Sequence, residues 1–267
     1  MPKTCLITGC SDGGIGCALA FAFQERGYHV IATARSPAKV PQTLHAADNV
    51  TVLALDVASS ASIVAVAETV NAQTGGKLDV LINNAGLGCD MPALDTSIAK
   101  ARELFDVNFF GALEMIQVFS PILVNAGGCV VNNSSVGGQF PIPFIGIYQA
   151  TKAALIQAGE VLRLEMAPLG VRVMTLLTGG VDTNFLGNLP PVVLPENSYY
   201  TGIKDIIEHQ PDRVPFAITP AKYAKDVVCQ VENGTTGKYW IGGAASMARF
   251  SLWALPQWIL VSSIFPL

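Results

Sequence analysis

Short apolar runs rich in β-branched residues recur along the chain: Thr4 to Thr8, His29 to Thr33, Val50 to Leu55, Val80 to Asn83, Cys129 to Asn132, Val171 to Leu177 and Tyr239 to Ile241. Between most of them lie longer segments whose apolar residues return every three or four positions, notably Ile15 to Arg26, Ser60 to Gln73 and Tyr148 to Met166. The first pattern predicts strands and the second helices. Strands apolar on both faces that alternate with helices predict an α/β fold: a doubly wound, Rossmann-like parallel sheet of about seven strands. No repeat, low-complexity tract or Ser/Gly linker divides the chain, so one domain is expected over residues 1–249, followed by an apolar tail over 250–267. Sheets of this kind bind ligands beyond the carboxyl ends of their strands, which directs attention to the residues just after each strand.

The first strand runs into Thr8-Gly9-Cys10-Ser11-Asp12-Gly13-Gly14-Ile15-Gly16 and then into a helical pattern. That is the context of a dinucleotide phosphate loop: glycines let the backbone approach the pyrophosphate, and the helix offers unpaired N–H groups and a positive dipole end. A tight strand-to-helix turn uses the same residues without a ligand. The second strand ends in Ala32-Thr33-Ala34-Arg35-Ser36, with no acid to receive a ribose 2′-hydroxyl. Arg35 can fork two donors onto a 2′-phosphate and Ser11 can add a hydroxyl, so NADPH/NADP+ is expected over NADH. The alternative for Arg35 is an ordinary solvated loop charge. Asp56, after the third strand, either meets the adenine or opens the next helix.

Tyr148 and Lys152 stand four apart in a helical pattern and therefore share a face. An ammonium beside a phenol favours phenolate, so this pair is expected to lower the tyrosine pKa toward neutrality and make a general acid. A Tyr-x-x-x-Lys spacing also arises at the edge of many cores. Asn133-Ser134-Ser135, at the end of the preceding strand, brings a hydroxyl to the same crevice thirteen residues before Tyr148.

Taken in order, the glycine loop, Asp56-Val57, Asn83-Asn84-Ala85-Gly86, Asn108 in Val107-Asn108-Phe109, Ser135, Tyr148, Lys152 and Thr178-Gly179-Gly180-Val181-Asp182-Thr183 resemble the short-chain dehydrogenase/reductase family, over almost the whole chain to about Gly243. The resemblance implies that Ser135 orients a substrate carbonyl, that Tyr148 protonates it as hydride arrives from nicotinamide C4, and that Lys152 holds the ribose hydroxyls. It implies a water anchored by Asn108 and a cofactor-contact set of Gly9, Ser11, Gly14, Ile15, Gly16, Arg35, Asp56, Val57, Asn83, Ala85, Gly86, Gly179, Val181 and Thr183, with Tyr148 and Lys152. Asn83, Ala85 and Gly86 would floor the adenosine ribose, while Val181 and Thr183 would meet the nicotinamide carboxamide. Asn83 and Asn108 also have a purely structural use as ties between elements. Within the family the spelling looks like the branch of acyl-dihydroxyacetone-phosphate reductases and fungal ketoreductases. Two departures stand out. Gly9, Gly14 and Gly16 imply one inserted residue in the loop, and Thr178 replaces a usual proline, which predicts a freer nicotinamide turn.

Composition narrows the partners. Lys plus Arg total 16 in 267 residues without forming a run, and the net charge is -4, which argues against nucleic acid. Cys5, Cys10, Cys17, Cys89, Cys129 and Cys229 follow no metal or disulfide spacing, nor do His29, His45 and His209, so a reducing, cytoplasmic setting with free thiols and no metal is expected. Charged residues make up only 13%, so part of the surface should face a partner or lipid. The Pro- and Tyr-bearing segment after Thr183 and the apolar Phe140 to Ile145 loop either suit a bulky, lipid-like ketone or pack on their own domain. After Arg249 the chain has no charge, with Trp253 and Trp258 at interfacial spacing; peripheral attachment to endoplasmic reticulum or lipid droplets, a lid, and a subunit contact all account for it. The family likeness implies a homodimer or tetramer. The reading that emerges is an NADPH-dependent ketone reductase; the alternatives are an NADP-dependent alcohol dehydrogenase, or a non-redox scaffold or cyclase, which a ketone panel would separate.

Overall fold

Every residue of Thr4–Thr8, Val80–Asn83 and Cys129–Asn133 is buried, the two-faced burial of a covered parallel sheet. In the computed structural model, which describes residues 2–208 and 216–256, these are β1, β4 and β5. With β2 (His29–Ala34), β3 (Val50–Ala54), β6 (Arg172–Thr178) and β7 (Gly237–Ile241) they pair in parallel, in the order β3-β2-β1-β4-β5-β6-β7. The connecting helices are α1 (Ile15–Glu25), α2 (Gln42–His45), α3 (Ser60–Thr74), α4 (Ile98–Phe105), α5 (Gly111–Ala126), α6 (Gly146–Met166), α7 (Lys204–Glu208), α8 (Pro220–Glu232) and α9 (Ala245–Ala254).

Strand register sorts the core into two layers. Ala32, Ile7, Ile82, Val131 and Met174 lie in one row across the sheet and pack with Leu19, Phe23, Tyr223 and Val227 of α1 and α8. The adjacent row, Ile31, Leu6, Leu81, Val130 and Val173, faces the opposite side and meets Ile63, Val66, Met115 and Phe119 of α3 and α5. Fully burying one such side chain is worth about 1.5–3 kcal/mol, and a one-residue slip would reverse both layers at once. The chain leaves β1 toward β2 and β3, then crosses to β4 on the other side. The crevice between the carboxyl ends of β1 and β4 is the switch point at which this fold takes ligands.

The predicted strands stand within one or two residues of their expected ends. Helix α6 begins two residues before Tyr148, at Gly146, and α1 ends at Glu25 with Arg26 as its cap. The run Ile98–Ala126 is one continuous 29-residue helix, long and apolar enough by composition to cross a membrane. Met115 and Phe119 nevertheless sit in the sheet core and Leu104 is fully buried, and a π turn at Asp106–Phe110 widens the helix at Asn108. Such bulges cluster at functional sites.

All six cysteines are free, and five are buried. Burial pushes the Cys10 thiol up to about 12 and those of Cys17 and Cys129 to about 11. The unfolded chain ionises these thiols near 9, so their stabilisation is complete below pH 9 and is lost as pH rises toward 11–12. Between pH 9 and 11 this loss should outweigh the opposing relief of the buried Lys152 ammonium, so urea midpoints should fall there, and substituting Cys10 and Cys129 by Ala should lessen the fall. A double variant whose midpoint falls as steeply as the parental one would contradict this account.

Candidate active site

The glycine loop is built by close approach. Gly9 has φ +76°, and a Cβ there would lie 2.9 Å from the Ala85 Cα; a Cβ on Gly16 would overlap the Gly9 carbonyl oxygen. Helix α1 starts at Gly14 with no side-chain cap and no acid in its first turn, so its leading N–H groups remain for an anion. Cys10 N donates to Thr33 O at 2.8 Å and Asp12 N to Lys39 O at 2.9 Å, which locks the loop to the end of β2. Arg35 is exposed there and forms no ion pair among the described residues. Lys39, exposed on the next turn, is a second cation at this corner that the sequence pattern did not single out. Ser11 is half-buried in the loop beside them, and Ile15 packs against the core beneath.

Asp56 accepts from Ala58 N at 3.0 Å and so shapes the turn before α3, but the helix is opened by Ser59, which accepts from Ser62 N; one Asp56 carboxylate oxygen remains. Val57 is buried against α5, where Gly111 makes room for its carbonyl. The Asn83 amide is taken up by Ala112 O at 3.3 Å and Asn132 Oδ1 at 2.9 Å, so its side chain ties the sheet to α5 and only its backbone borders the crevice. The polar group at this strand end is instead Asn84, whose Nδ2 donates to Thr8 O at 2.8 Å. Ala85 N bonds Thr8 Oγ1 at 2.9 Å, and a Cβ on Gly86 would lie 3.3 Å from Asn108 Oδ1 and 3.6 Å from Lys152 Nζ. The β4 turn thus passes directly over the reacting groups.

Tyr148 and Lys152 occupy one face of α6, with the ammonium 5.8 Å from the ring centroid. Lys152 is buried and latched twice to the end of β5: its Nζ donates to Asn133 O at 3.0 Å, and its own carbonyl accepts from Ser134 Oγ at 2.9 Å. Burial pulls its pKa down to about 8. The Tyr148 pKa is raised by burial and only partly drawn back by its hydrogen bond with Ser135. That corrects the expected lowering by Lys152, because desolvation of the phenolate outweighs an ammonium at this distance. Ser135 Oγ also accepts from Gly137 N at 3.0 Å, which fixes the hydroxyl at the mouth. Both Asn108 amide protons are used, on Leu87 O at 2.9 Å and Thr151 Oγ1 at 3.0 Å, and its oxygen takes Leu87 N at 2.7 Å. Little beyond the π-turn backbone is left to hold a water.

The nicotinamide side is formed by Gly179, whose N donates to Ile241 O at 2.7 Å, by Val181, bridged to Ile218, and by half-buried Thr183. The turn is not freed by losing proline: the Thr178 hydroxyl contacts Asn133 Oδ1 and Tyr223 Oη, each at 2.6 Å. The expected apolar wall forms from both sides. Phe144 stacks edge-on against Tyr200, and Phe185 lies 6.2 Å from the Tyr148 ring. The cap closes directly over Gly88, where a Cβ would press on the ends of the Leu189 and Phe185 side chains. A cavity of about 250 Å³ opens alongside, between Cys89 to Ser97 and the Pro190, Pro191 and Val193 strip. Of the tail, residues 250–256 are described, with Phe250 and Trp253 exposed on α9; Trp258 lies outside the described residues, as does His209. No cluster of metal-ligating residues occurs among the described residues.

A glycine loop at the switch point, facing a buried lysine, a phenol and an alcohol, defines a dinucleotide-dependent oxidoreductase. The short chain dehydrogenase family profile matches residues 3–192. A short-chain dehydrogenase of Penicillium crustosum is 40% identical over 96% of this chain and 94% of its own. An NADPH-dependent 1-acyldihydroxyacetone phosphate reductase of Schizosaccharomyces pombe is 39% identical over 83% of this chain and 76% of its own. The crystal structure of a short-chain dehydrogenase from Streptomyces avermitilis superposes with a TM-score of 0.84 at 32% identity, covering 98% of each chain. The chain belongs to the short-chain dehydrogenase family, oxidoreductases acting on CH–OH and C=O groups.

Proposed function

We propose that this chain is an NADPH-dependent carbonyl reductase acting on a ketone of an apolar or lipid-like substrate. The observation that carries the proposal is the Tyr148 phenol on the same helix face as buried Lys152, near enough to the Ser135 hydroxyl to be drawn down by it, under an apolar cap. The fit for a dinucleotide rests on the glycine cradle, the uncapped start of α1 and exposed Arg35, which has no ion-pair partner among the described residues. Bound there, the nicotinamide supplies the hydride.

The chain's own residues then have distinct tasks. Ser135 orients the carbonyl oxygen. Tyr148 delivers a proton to it, and its raised pKa keeps that proton in place at neutral pH. Lys152, with one acceptor among the described residues, has two protons left for ribose hydroxyls. Gly9, Ser11, Gly14, Ile15 and Gly16 hold the pyrophosphate end, with Asp56, Val57, the Asn83 backbone, Ala85 and Gly86 along the adenosine and Gly179, Val181 and Thr183 around the carboxamide. Arg35 and Lys39 receive the 2′-phosphate. The NADPH-dependent name of the fission-yeast relative supports that choice. Phe144, Phe185 and Tyr200 favour a bulky substrate.

A ketone panel with an NADPH absorbance readout tests the activity; tight NADPH binding without consumption of any ketone would favour a non-redox scaffold. Arg35→Asp should raise the Kd for NADPH about 10- to 100-fold while leaving NADH within a few-fold, the loss of one charge-assisted contact. Equal effects on both coenzymes would remove Arg35 from this role. Helix α9 exposes Met247, Phe250 and Trp253, which supports a contact face toward a bilayer or a second copy. Liposome flotation and sedimentation would distinguish the two.

A further inference from the structure

Lys152 is anchored by one hydrogen bond among the described residues, to the backbone oxygen of Asn133. Where the ammonium points therefore depends on what fixes Asn133, and the Asn133 side chain is the centre of a buried chain of hydrogen bonds. Asn84 Nδ2 faces two carbonyls, Thr8 O at 2.8 Å and Gly9 O at 3.2 Å, so its Oδ1 faces Asn133. Asn133 Nδ2 donates to that oxygen at 2.9 Å, which leaves Asn133 Oδ1 as an acceptor. The Thr178 hydroxyl donates to it at 2.6 Å. With its single proton so used, Thr178 accepts from Tyr223 Oη at 2.6 Å, and the same phenol lies 3.3 Å from Asn133 Oδ1. The run is Tyr223 to Thr178 to Asn133 to Asn84 to the end of β1. It crosses beneath the carboxyl ends of β6, β5, β4 and β1.

We propose that Asn133, Thr178 and Tyr223 are positioning residues for the reaction, setting the place of the Lys152 ammonium and joining the glycine loop to the nicotinamide turn. The proposal rests on the reading of Tyr148 and Lys152 as the reacting pair. Three observations carry it. The chain ends on the Thr8 and Gly9 carbonyls of the phosphate loop. Its middle member holds Lys152. Its Thr178 immediately precedes Gly179 of the nicotinamide turn, where the hydroxyl supplies the rigidity that a proline ring would otherwise give. Tyr223 is fully buried and Asn133 nearly so, and burial keeps the Tyr223 phenol protonated, so it stays a donor throughout the neutral range. A buried chain whose members bond to one another resists rearrangement, and removing a link frees its neighbours.

The test compares Thr178→Val and Tyr223→Phe with the conservative Thr178→Ser, alone and with Thr178→Val and Tyr223→Phe combined. Readouts are kcat and KM for the ketone, the NADPH Kd by fluorescence titration without substrate, and Tm. Thr178→Val and Tyr223→Phe should each lower kcat about 5- to 20-fold and weaken NADPH several-fold, the scale of one misplaced contact. The double variant should be no worse than about the poorer single one, since both cut the same chain, and Thr178→Ser should keep near-parental kcat. Tyr223→Phe removes one oxygen and keeps the ring, so it carries the test if Thr178→Val does not fold. A lowered Tm with parental kcat and NADPH Kd in both would overturn the proposal, leaving a structural role only. Turnover that survives Tyr148→Phe would overturn the reading of the site instead; an inactive Tyr148→Phe beside unaffected Thr178→Val and Tyr223→Phe overturns the positioning chain alone.

Discussion

Tyr148→Phe should lower kcat by about three orders of magnitude while leaving NADPH affinity within about twofold. The change removes a single oxygen at the mouth of the crevice. The ring keeps its packing against Phe185, and Lys152 stays where it is because its ammonium is held by Asn133 O rather than by the phenol. What disappears is the proton that must reach the substrate oxygen as hydride arrives at carbon, and positioned acids of this kind contribute roughly 10²- to 10⁴-fold. Burial raises the Tyr148 pKa, so the parental enzyme carries the acid form at neutral pH, and reduction should need no activation by lowering pH. Single-turnover NADPH oxidation alongside a binding titration checks both halves. Loss of binding, or turnover close to parental, would each contradict the assignment.

How much of this was legible in the sequence follows from the range of the forces involved. The seven strands could be read because parallel strands buried on both faces must be nearly continuous apolar runs, and Thr4–Thr8 and Val80–Asn83 emerge with the predicted ends. Helix α6 shows its face in the same way, and with it the Tyr148–Lys152 pair. What could not be read were outcomes that depend on three-dimensional crowding. An i, i+4 ammonium suggests a lowered phenol pKa, yet at 5.8 Å from the ring centroid, in a desolvated site, burial decides the sign. Adjacent asparagines look alike in a string; only strand register shows that Asn83 ties the sheet to α5 while Asn84 reaches the glycine loop. Thr178 read as a lost proline, since nothing local announces that Tyr223, 45 residues later, returns beneath it. Lys39 was passed over because its relation to the loop runs through a backbone bond to Asp12.

The same desolvation that shapes the site sets up the second large effect. Lys152→Met should abolish turnover and make the protein more stable at pH 7. An ammonium whose pKa falls from 10.5 to about 8 on folding is charged at a cost of about 3 kcal/mol relative to water. The sign follows from proton counting: between pH 8 and 10.5 the unfolded chain binds more protons at this lysine than the folded one, so folding is penalised fully below pH 8 and progressively less above it. Methionine matches the aliphatic stem and carries no charge. It does strip Asn133 O of its donor, a loss of about 1 kcal/mol, so the net gain at pH 7 should be about 1–2 kcal/mol. That gain should shrink toward nothing, or reverse, by pH 10.5, where the parental lysine folds neutral. Urea unfolding of the two proteins at pH 7 and pH 10 gives the answer directly. A methionine variant that is less stable at pH 7, or whose advantage grows with pH, would mean that the buried ammonium is better solvated by the protein than its surroundings suggest. Together with the lost activity, a stabilised variant would show that this fold tolerates a costly charge at the crevice for the sake of the chemistry there.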